Sequence, residues 1–356
     1  MRDLSVAGWR IYLEFERWRV KCPRCVSVHV EHLDWLADNP RYTQRFAMHV
    51  GNLCRDMTVS RVAEIERLHH TTVKDLDKLY MRRQVELAGT PTPRAIGVDE
   101  ISIRKGHNYR VIVSDLDRRR PIWVGGEGRK EEDLDEFFEF IGKKKSKRIK
   151  LAAMDMWKAF RNSTLKNAPN ALIIYDKFHI MRHLSKALDQ VRREEYKRLS
   201  GKDRSYIKGQ RYTLLSNKEN LDLNGRRALK KLLAANSRLN TAYLLKEMFG
   251  QLWDYKTARG ARAFFERWKD SLKWKRLKPY VKFAAMVERH WDGIVSYCHP
   301  DNKVSLGLVE GVNNKIRVIQ RKAYGYRDEE YLKLKIIASF LPPLPKNAQI
   351  NPHESA

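Results

Sequence analysis

The chain has 356 residues, 42% of them apolar and 10% aromatic, which is enough for two or three folded cores and excludes a disordered polymer. Lys and Arg number 71 against 43 Asp and Glu, and a net charge of +28 points to a polyanionic partner. No apolar run approaches the roughly 18 residues of a membrane span and no signal-peptide pattern is present, so the partner expected is nucleic acid and not a membrane. Four cysteines, Cys22, Cys25, Cys54 and Cys298, are too few and too unevenly spaced for a disulfide framework, so a reducing cytoplasm is expected, and with a nucleic-acid partner, association with the nucleoid.

Residues 1–38 read as short strands, with alternation at Arg10–Glu16 and again at Val26–Val30. Between them Cys22-Pro23-Arg24-Cys25 forms a knuckle that supplies half of a tetrahedral zinc site; His29 and His32 are candidates for the rest, and a pair of free thiols is the alternative. Residues 39–88 turn helical. Val59, Val62 and Ala63, then Val73, Leu76, Leu79 and Tyr80, recur at three- and four-residue spacing behind the capping candidates Thr58 and Thr71. Two short helices meeting near Leu68-His69-His70 predict a helix-turn-helix-like DNA-binding domain, whose second helix presents Thr72, Lys74, Asp75 and Lys78 outward; a plain helical hairpin is the alternative. Gly89–Pro93 is a linker.

From residue 94 to 199 the character changes. Ala95–Ile103, Tyr109–Asp115 and Pro121–Gly125 are consecutive strand candidates, with a turn at Lys105–Asn108, followed by a helix over Glu131–Ile141, a strand over Ile149–Asp155, a helix, a strand over Ala171–Tyr175, and a helix over His179–Leu199. That order predicts an α/β mixed sheet opened by an antiparallel meander, the element order of a ribonuclease-H-like catalytic core. Residues 200–303 hold no convincing strand and read as an all-helical insertion rich in tryptophan, at Trp253, Trp268, Trp274 and Trp291. The last helices of the core fill 304–341, and 342–356 is a flexible tail.

Asp99 and Asp155 each stand in or at the end of an apolar strand, where an ionised carboxylate is costly unless paired or bound to a cation. In a sheet of this order the first and fourth strands are neighbours, so the two acids converge on one edge and can hold magnesium or manganese for phosphoryl transfer. Glu310 is the candidate third ligand. Val309, Val312, Ile316, Ile319 and Ala323 form one face of its helix, and Glu310, Asn314, Arg317 and Arg321 form another, which suits a metal ligand beside a DNA backbone.

At these residues the chain resembles the ISL3 family of insertion-sequence transposases. The resemblance rests on Gly97-Val98-Asp99-Glu100, Ala153-Met154-Asp155-Met156-Trp157 and Asp176-Lys177-Phe178-His179. It rests above all on Val309-Glu310-Gly311-Val312-Asn313-Asn314-Lys315 running on to Arg321-Lys322-Ala323-Tyr324-Gly325-Tyr326. What it implies is DDE transposition: Asp99, Asp155 and Glu310 as catalytic metal ligands, hydrolysis at transposon ends, attack of the 3′-hydroxyl on target DNA, and a dimer on DNA. It also implies that Asp176 and His179 lie near the site, with His179 touching DNA or packing at a helix start. Family members carry an earlier Cys-x-x-Cys ahead of the partners of Cys22 and Cys25, so a shortened start and an incomplete zinc module are expected here. A ribonuclease-H-like DNA nuclease and a domesticated, non-catalytic DNA-binding regulator are the alternatives. The insertion's tryptophans, beside Arg259, Arg262, Lys273, Lys275 and Arg276, either pack in a helical core or stack on unpaired bases.

Overall fold

A computed structural model describes residues 1–104, 108–200, 204, 207–302 and 307–345; the expected turn at Lys105–His107 and the tail beyond 345 lie outside the described residues. The chain divides into two compact units. Met1–Pro91, Arg120–Val124 and the chain from Val312 on form one; Thr92–Arg119 and Gly125–Gly311 form the other.

The N-terminal unit begins with a hairpin of β1 (Arg19–Lys21) and β2 (Val28–Val30), paired antiparallel with Val20 opposite His29. Alternation at Arg10–Glu16 predicts a strand there, but that segment forms only an isolated bridge, Arg2 with Tyr12. Every residue of β1 and β2 is exposed, so no buried face rewards the alternation and short pairing around the Cys22–Cys25 turn is what remains. Three helices follow: α1 (Gln44–Asp56), α2 (Val59–Glu66) and α3 (His70–Ala88). Thr58 caps α2 as expected, whereas α3 is capped two residues before its candidate, by His69, which accepts from the Thr71 amide, and runs for 19 residues. Arg67, at φ 52, closes α2 in a left-handed turn whose amides return to Glu64 and Ala63. Phe46, Val50, Val62, Val73 and Leu76 form the core between the helices. Gly51 lets α1 and α3 touch, since a Cβ there would lie 2.2 Å from that of Tyr80.

The same unit takes in the end of α11 (Gly307–Lys322) and all of α12 (Glu329–Ala338), which the sequence places with the catalytic core. Helix α12 packs on α3 around a buried charge. Asp77 on α3 is 1% exposed and meets the Tyr331 hydroxyl and Lys335 Nζ of α12. Burial pushes the Asp77 carboxyl above its ordinary value, and Lys335 and Tyr331 pull it back.

The larger sheet is five-stranded and mixed, of order β5-β4-β3-β6-β7, with strands β3 (Ala95–Arg104), β4 (Asn108–Asp115), β5 (Arg120–Gly125), β6 (Leu151–Met154) and β7 (Leu172–Tyr175), and all of these but β5 belong to the second unit. β3 pairs antiparallel with β4 and parallel with β6, which pairs parallel with β7, so the predicted first and fourth strands are neighbours. The connections from β5 to β6, from β6 to β7 and after β7 carry α4 (Glu131–Ile141), α5 (Lys158–Asn167) and α6 (Lys177–Arg198). Beyond these the described residues form helices only: α7 (Leu223–Ala235), α8 (Ser237–Gly250), α9 (Ala258–Asp270) and α10 (Lys278–Arg289), with short single turns between them. Their core is aromatic. Trp268 is wedged among Phe249, Phe265, Tyr280 and Phe283, and its indole N–H donates to the Leu245 carbonyl at 2.9 Å.

Replacing Lys335 by Met strands the Asp77 carboxylate, and the N-terminal unit should lose about 3 kcal/mol in urea unfolding. Lys333→Ala, on an exposed side chain of the same helix, should cost less than about 0.5 kcal/mol. Equal effects would show that Asp77 is carried neutral and owes nothing to Lys335.

Candidate active site and DNA interface

The parallel pairing sets the site. Ala95 pairs with Leu151 and Gly97 with Ala153, so two residues further along Asp99 stands level with Asp155; Met154 pairs with Tyr175, so Asp155 stands level with Asp176. Residues in one row of a parallel sheet face the same way, and three carboxylates therefore line one edge. Each carboxylate takes a nearby backbone amide: Glu100 N to Asp99 Oδ1 at 2.8 Å, Met156 N to Asp155 Oδ1 at 2.7 Å, and Phe178 N to Asp176 Oδ1 at 2.7 Å. His179, in the first turn of α6, sits between two of them, with Nδ1 3.2 Å from Asp155 Oδ2 and Nε2 3.9 Å from Asp176 Oδ2. A small cavity lined by Val98, Met154 and Val309 as well opens onto Asp99, Asp155, Asp176 and His179.

The charges shift one another. Asp155 raises the His179 pKa above its ordinary value. Burial works against the charged form of Asp155, but the His179 contact and the Met156 amide outweigh it and lower its pKa. Asp176 moves the other way: burial raises its pKa, the Phe178 amide opposes this, and Asp99 and Asp155 add to the rise. Behind Asp99, Glu100 meets Arg129 at 2.6 Å, and the Arg129 carbonyl accepts from the Trp157 indole at 2.7 Å. Trp157 and Phe178, 45% and 56% exposed, follow Asp155 and Asp176 by two residues each and flank the row with aromatic surface.

Glu310 is placed differently. Its neighbour Val309 is seated on β3, where a Cβ on Gly97 would lie 2.7 Å from Val309 Cγ2, so only glycine admits this helix two residues before Asp99. Glu310 itself is exposed in the first turn of α11 and does not line the cavity. Asn314, Arg317 and Arg321 are exposed further along, with Arg317 donating to Asn314 at 3.3 Å; of the expected apolar face, Val312 and Ile316 are buried and Ala323 is exposed.

Helices α2 and α3 form the expected helix pair, but its lysines do not point to open solvent. Lys74 and Lys78 reach Asp328, at the N-cap of α12, at 3.2 and 2.7 Å; Lys78 also meets Glu330 at 2.8 Å, and Arg82 joins Glu330. Lys78 is left 14% exposed, and Thr72 is half-buried, while Thr71, Asp75 and Arg82 carry the exposed surface of α3. The outward presentation read from helical spacing fails because the acids that cover it lie about 250 residues away in sequence.

In the hairpin, the donor atoms of Cys22, Cys25 and His29 lie within 4.8 Å of one another, whereas His32 pairs with Asp34. His29 and then Ser27 bring the Cys25 pKa down to about 6, so the thiolate is available at neutral pH. Cys54 and Cys298 are buried.

Asp176 was read from sequence only as a companion of His179. Counting the strand register onward from Asp99 would have put it in the row.

Residues 96–336 match an ISL3 family described as transposase, and residues 31–81 match the helix-turn-helix domain of transposase family ISL3. The chain is 35% identical over 344 residues to the transposase for insertion sequence element IS1001 of Bordetella parapertussis, covering 96% of this chain and 84% of that one. It is 27% identical over 373 aligned positions to the transposase for insertion sequence element IS1557 of Mycobacterium tuberculosis, covering 97% of this chain and 82% of the relative.

The double variant Asp328→Asn, Glu330→Gln should release Lys74, Lys78 and Arg82. Fluorescence anisotropy with duplex DNA should then show tighter binding and a salt dependence steeper by up to about 0.9 per phosphate newly met; an unchanged slope means these cations do not reach DNA. Lys78 and the Tyr331 amide hold the Asp328 carboxyl well below its ordinary value of 3.8. Its contribution to stability is therefore complete above that value and lost as pH falls below it, so wild type should lose more stability than Asp328→Asn between about pH 4 and pH 2.

Proposed function

The chain belongs to the ISL3 family of transposases and is a DNA transposase, and from that premise we propose that it cleaves transposon ends and joins the freed 3′-hydroxyl to target DNA at one metal site held by Asp99, Asp155 and Glu310. The observation that carries the reading is the level row of Asp99, Asp155 and Asp176, served by His179 alone among the cavity's lining residues as a cation. Carboxylates so crowded call for divalent cations, and oxygen donors suit magnesium or manganese. When bound, the two ions supply Lewis-acid stabilisation of the attacking and leaving oxygens.

The chain's own groups do the rest. The Glu100 and Met156 amides fix one oxygen each of Asp99 and Asp155, and His179 meets the second oxygen of Asp155. His179 orients Asp155 and is held in turn by Asp176, and in its charged form it offers a cation beside the DNA phosphate. Glu310, delivered to the neighbourhood by Val309 on Gly97, completes the ligand set. Arg317 and Arg321, with Asn314, meet the DNA backbone, and the helix-turn-helix residues Thr72, Lys74 and Lys78 join them where DNA displaces Asp328 and Glu330 from the lysines. The antiparallel meander continued by two parallel strands supports a ribonuclease-H-like core over 94–199, interrupted by the helical insertion of 200–303 and resumed at the start of α11. Joining two ends requires two copies of the chain on DNA. Cys22, Cys25 and His29 present two soft sulfurs and an imidazole, a donor set fitting zinc and one ligand short of a closed tetrahedral site.

Asp99→Asn, Asp155→Asn and Glu310→Gln should each lower end cleavage and strand transfer, assayed with terminal-repeat DNA and magnesium, by on the order of 10²-fold or more while DNA binding persists. Chelation should abolish both steps and manganese restore them. Full activity in Glu310→Gln would remove that residue from the ligand set. Zinc content measured on purified protein should fall on Cys25→Ala.

A further inference from the structure

The four tryptophans of the helical region do not share one fate. Trp253 and Trp268 are 3% and 1% exposed and belong to its core, but Trp274 is 91% exposed. It sits at the tip of the turn joining α9 to α10, in Leu272-Lys273-Trp274-Lys275-Arg276-Leu277. A large ring left in water is unusual where the residues on either side succeed in packing, and here Leu272 and Leu277 are 4% and 0% exposed.

The turn is also held still. The Leu272, Lys273 and Lys275 amides return to Lys269, Asp270 and Leu272 at 3.0 to 3.1 Å. Arg276 takes the left-handed conformation at φ 53, and its carbonyl accepts from Arg238, whose guanidinium is itself bonded to Glu194 and Glu195 of α6 at 3.0 and 2.9 Å. Around the ring, Lys273, Lys275, Arg276 and Lys278 are all exposed. An exposed aromatic ring on a turn whose backbone is held, with cations around it, suits a nucleobase whose neighbouring phosphates lie within reach of the cations. Bases inside a duplex are already stacked on each other, so the ligand is an unpaired base.

Helix α6 sets the distance from the chemistry. Glu194 follows His179 by 15 residues, about 22 Å along the helix, which corresponds to roughly six nucleotides of DNA. We propose that Trp274, with Lys273, Lys275 and Arg276, is a stacking platform for an unpaired base on a DNA strand, well away from the row of acids. The proposal takes its ligand from the DNA-transposase reading.

The test uses the full chain, a 20-nucleotide oligothymidylate and a blunt duplex of the same length. Trp274→Ala should weaken oligothymidylate binding by on the order of tenfold and duplex binding by less than about twofold, whereas Trp274→Phe should keep most of the affinity. An oligothymidylate carrying one 5-iodouracil should photo-crosslink at Trp274, read by peptide mass spectrometry. Unchanged oligothymidylate affinity in Trp274→Ala, or an equal loss on the duplex, overturns the platform. Repeating the binding in the Asp155→Asn background separates the two readings, because binding there does not require cleavage.

Discussion

The parallel register of β3, β6 and β7 is the constraint on which the site depends. A slip of one residue in β6 would turn Asp155 to the opposite face and break the row. Apolar burial holds the register against the repulsion of the acids: Ile96, Val98, Ala152, Ala153 and Ile174 are each at most 3% exposed. Gly97 adds a second lock, because its missing side chain is what admits Val309. The carboxylates stand where the strands run out, so the sheet supplies position while amides and His179 offset part of the cost of their charge.

That local concentration of negative charge sits in a chain of net charge +28. The two facts serve different distances. A positive field draws a DNA strand toward the protein over the length of the screening cloud, while the repulsion of the few clustered acids is felt only at short range. Much of the positive charge is already engaged internally: Arg192 and Arg193 on Asp189, Arg198 and Arg238 on Glu195, and Lys74, Lys78 and Arg82 on Asp328 and Glu330. Arg317 and Arg321 are exposed on one helix face, whereas Lys74 and Lys78 of α3 are half-buried against Asp328.

What could be read from sequence follows how local the deciding physics is. Asp99 and Asp155 were legible because an acid interrupting an apolar strand is costly within its own ten residues, and the β3–β6 pairing then follows from element order. The helices over 131–141 and from 307 were legible from their apolar stripes. The strand expected at Arg10–Glu16 failed because alternation says nothing of whether a partner surface exists. Lys74 and Lys78 failed for the same reason in reverse, since their covering acids could not be seen from helical spacing. The tryptophans were undecidable from composition: Trp268 and Trp274 have similar basic surroundings, and only packing separates the buried ring from the exposed one.

The path of the chain carries a further consequence. Asp77 belongs to a helix formed by the first quarter of the sequence, yet its partners Tyr331 and Lys335 lie 254 or more residues later. Until those residues exist, α3 must either bury a carboxyl without a cation or leave that face in water, and both cost stability. The sheet unit has no such debt to the last helix: β3, β4, β6 and β7 and the helices between them are contiguous from residue 92 apart from one strand. Closing so long a loop is entropically mild, because its cost grows only with the logarithm of length. The N-terminal helices therefore reach full stability last, when α12 arrives, and the contact that completes them also ties up the cations of α3.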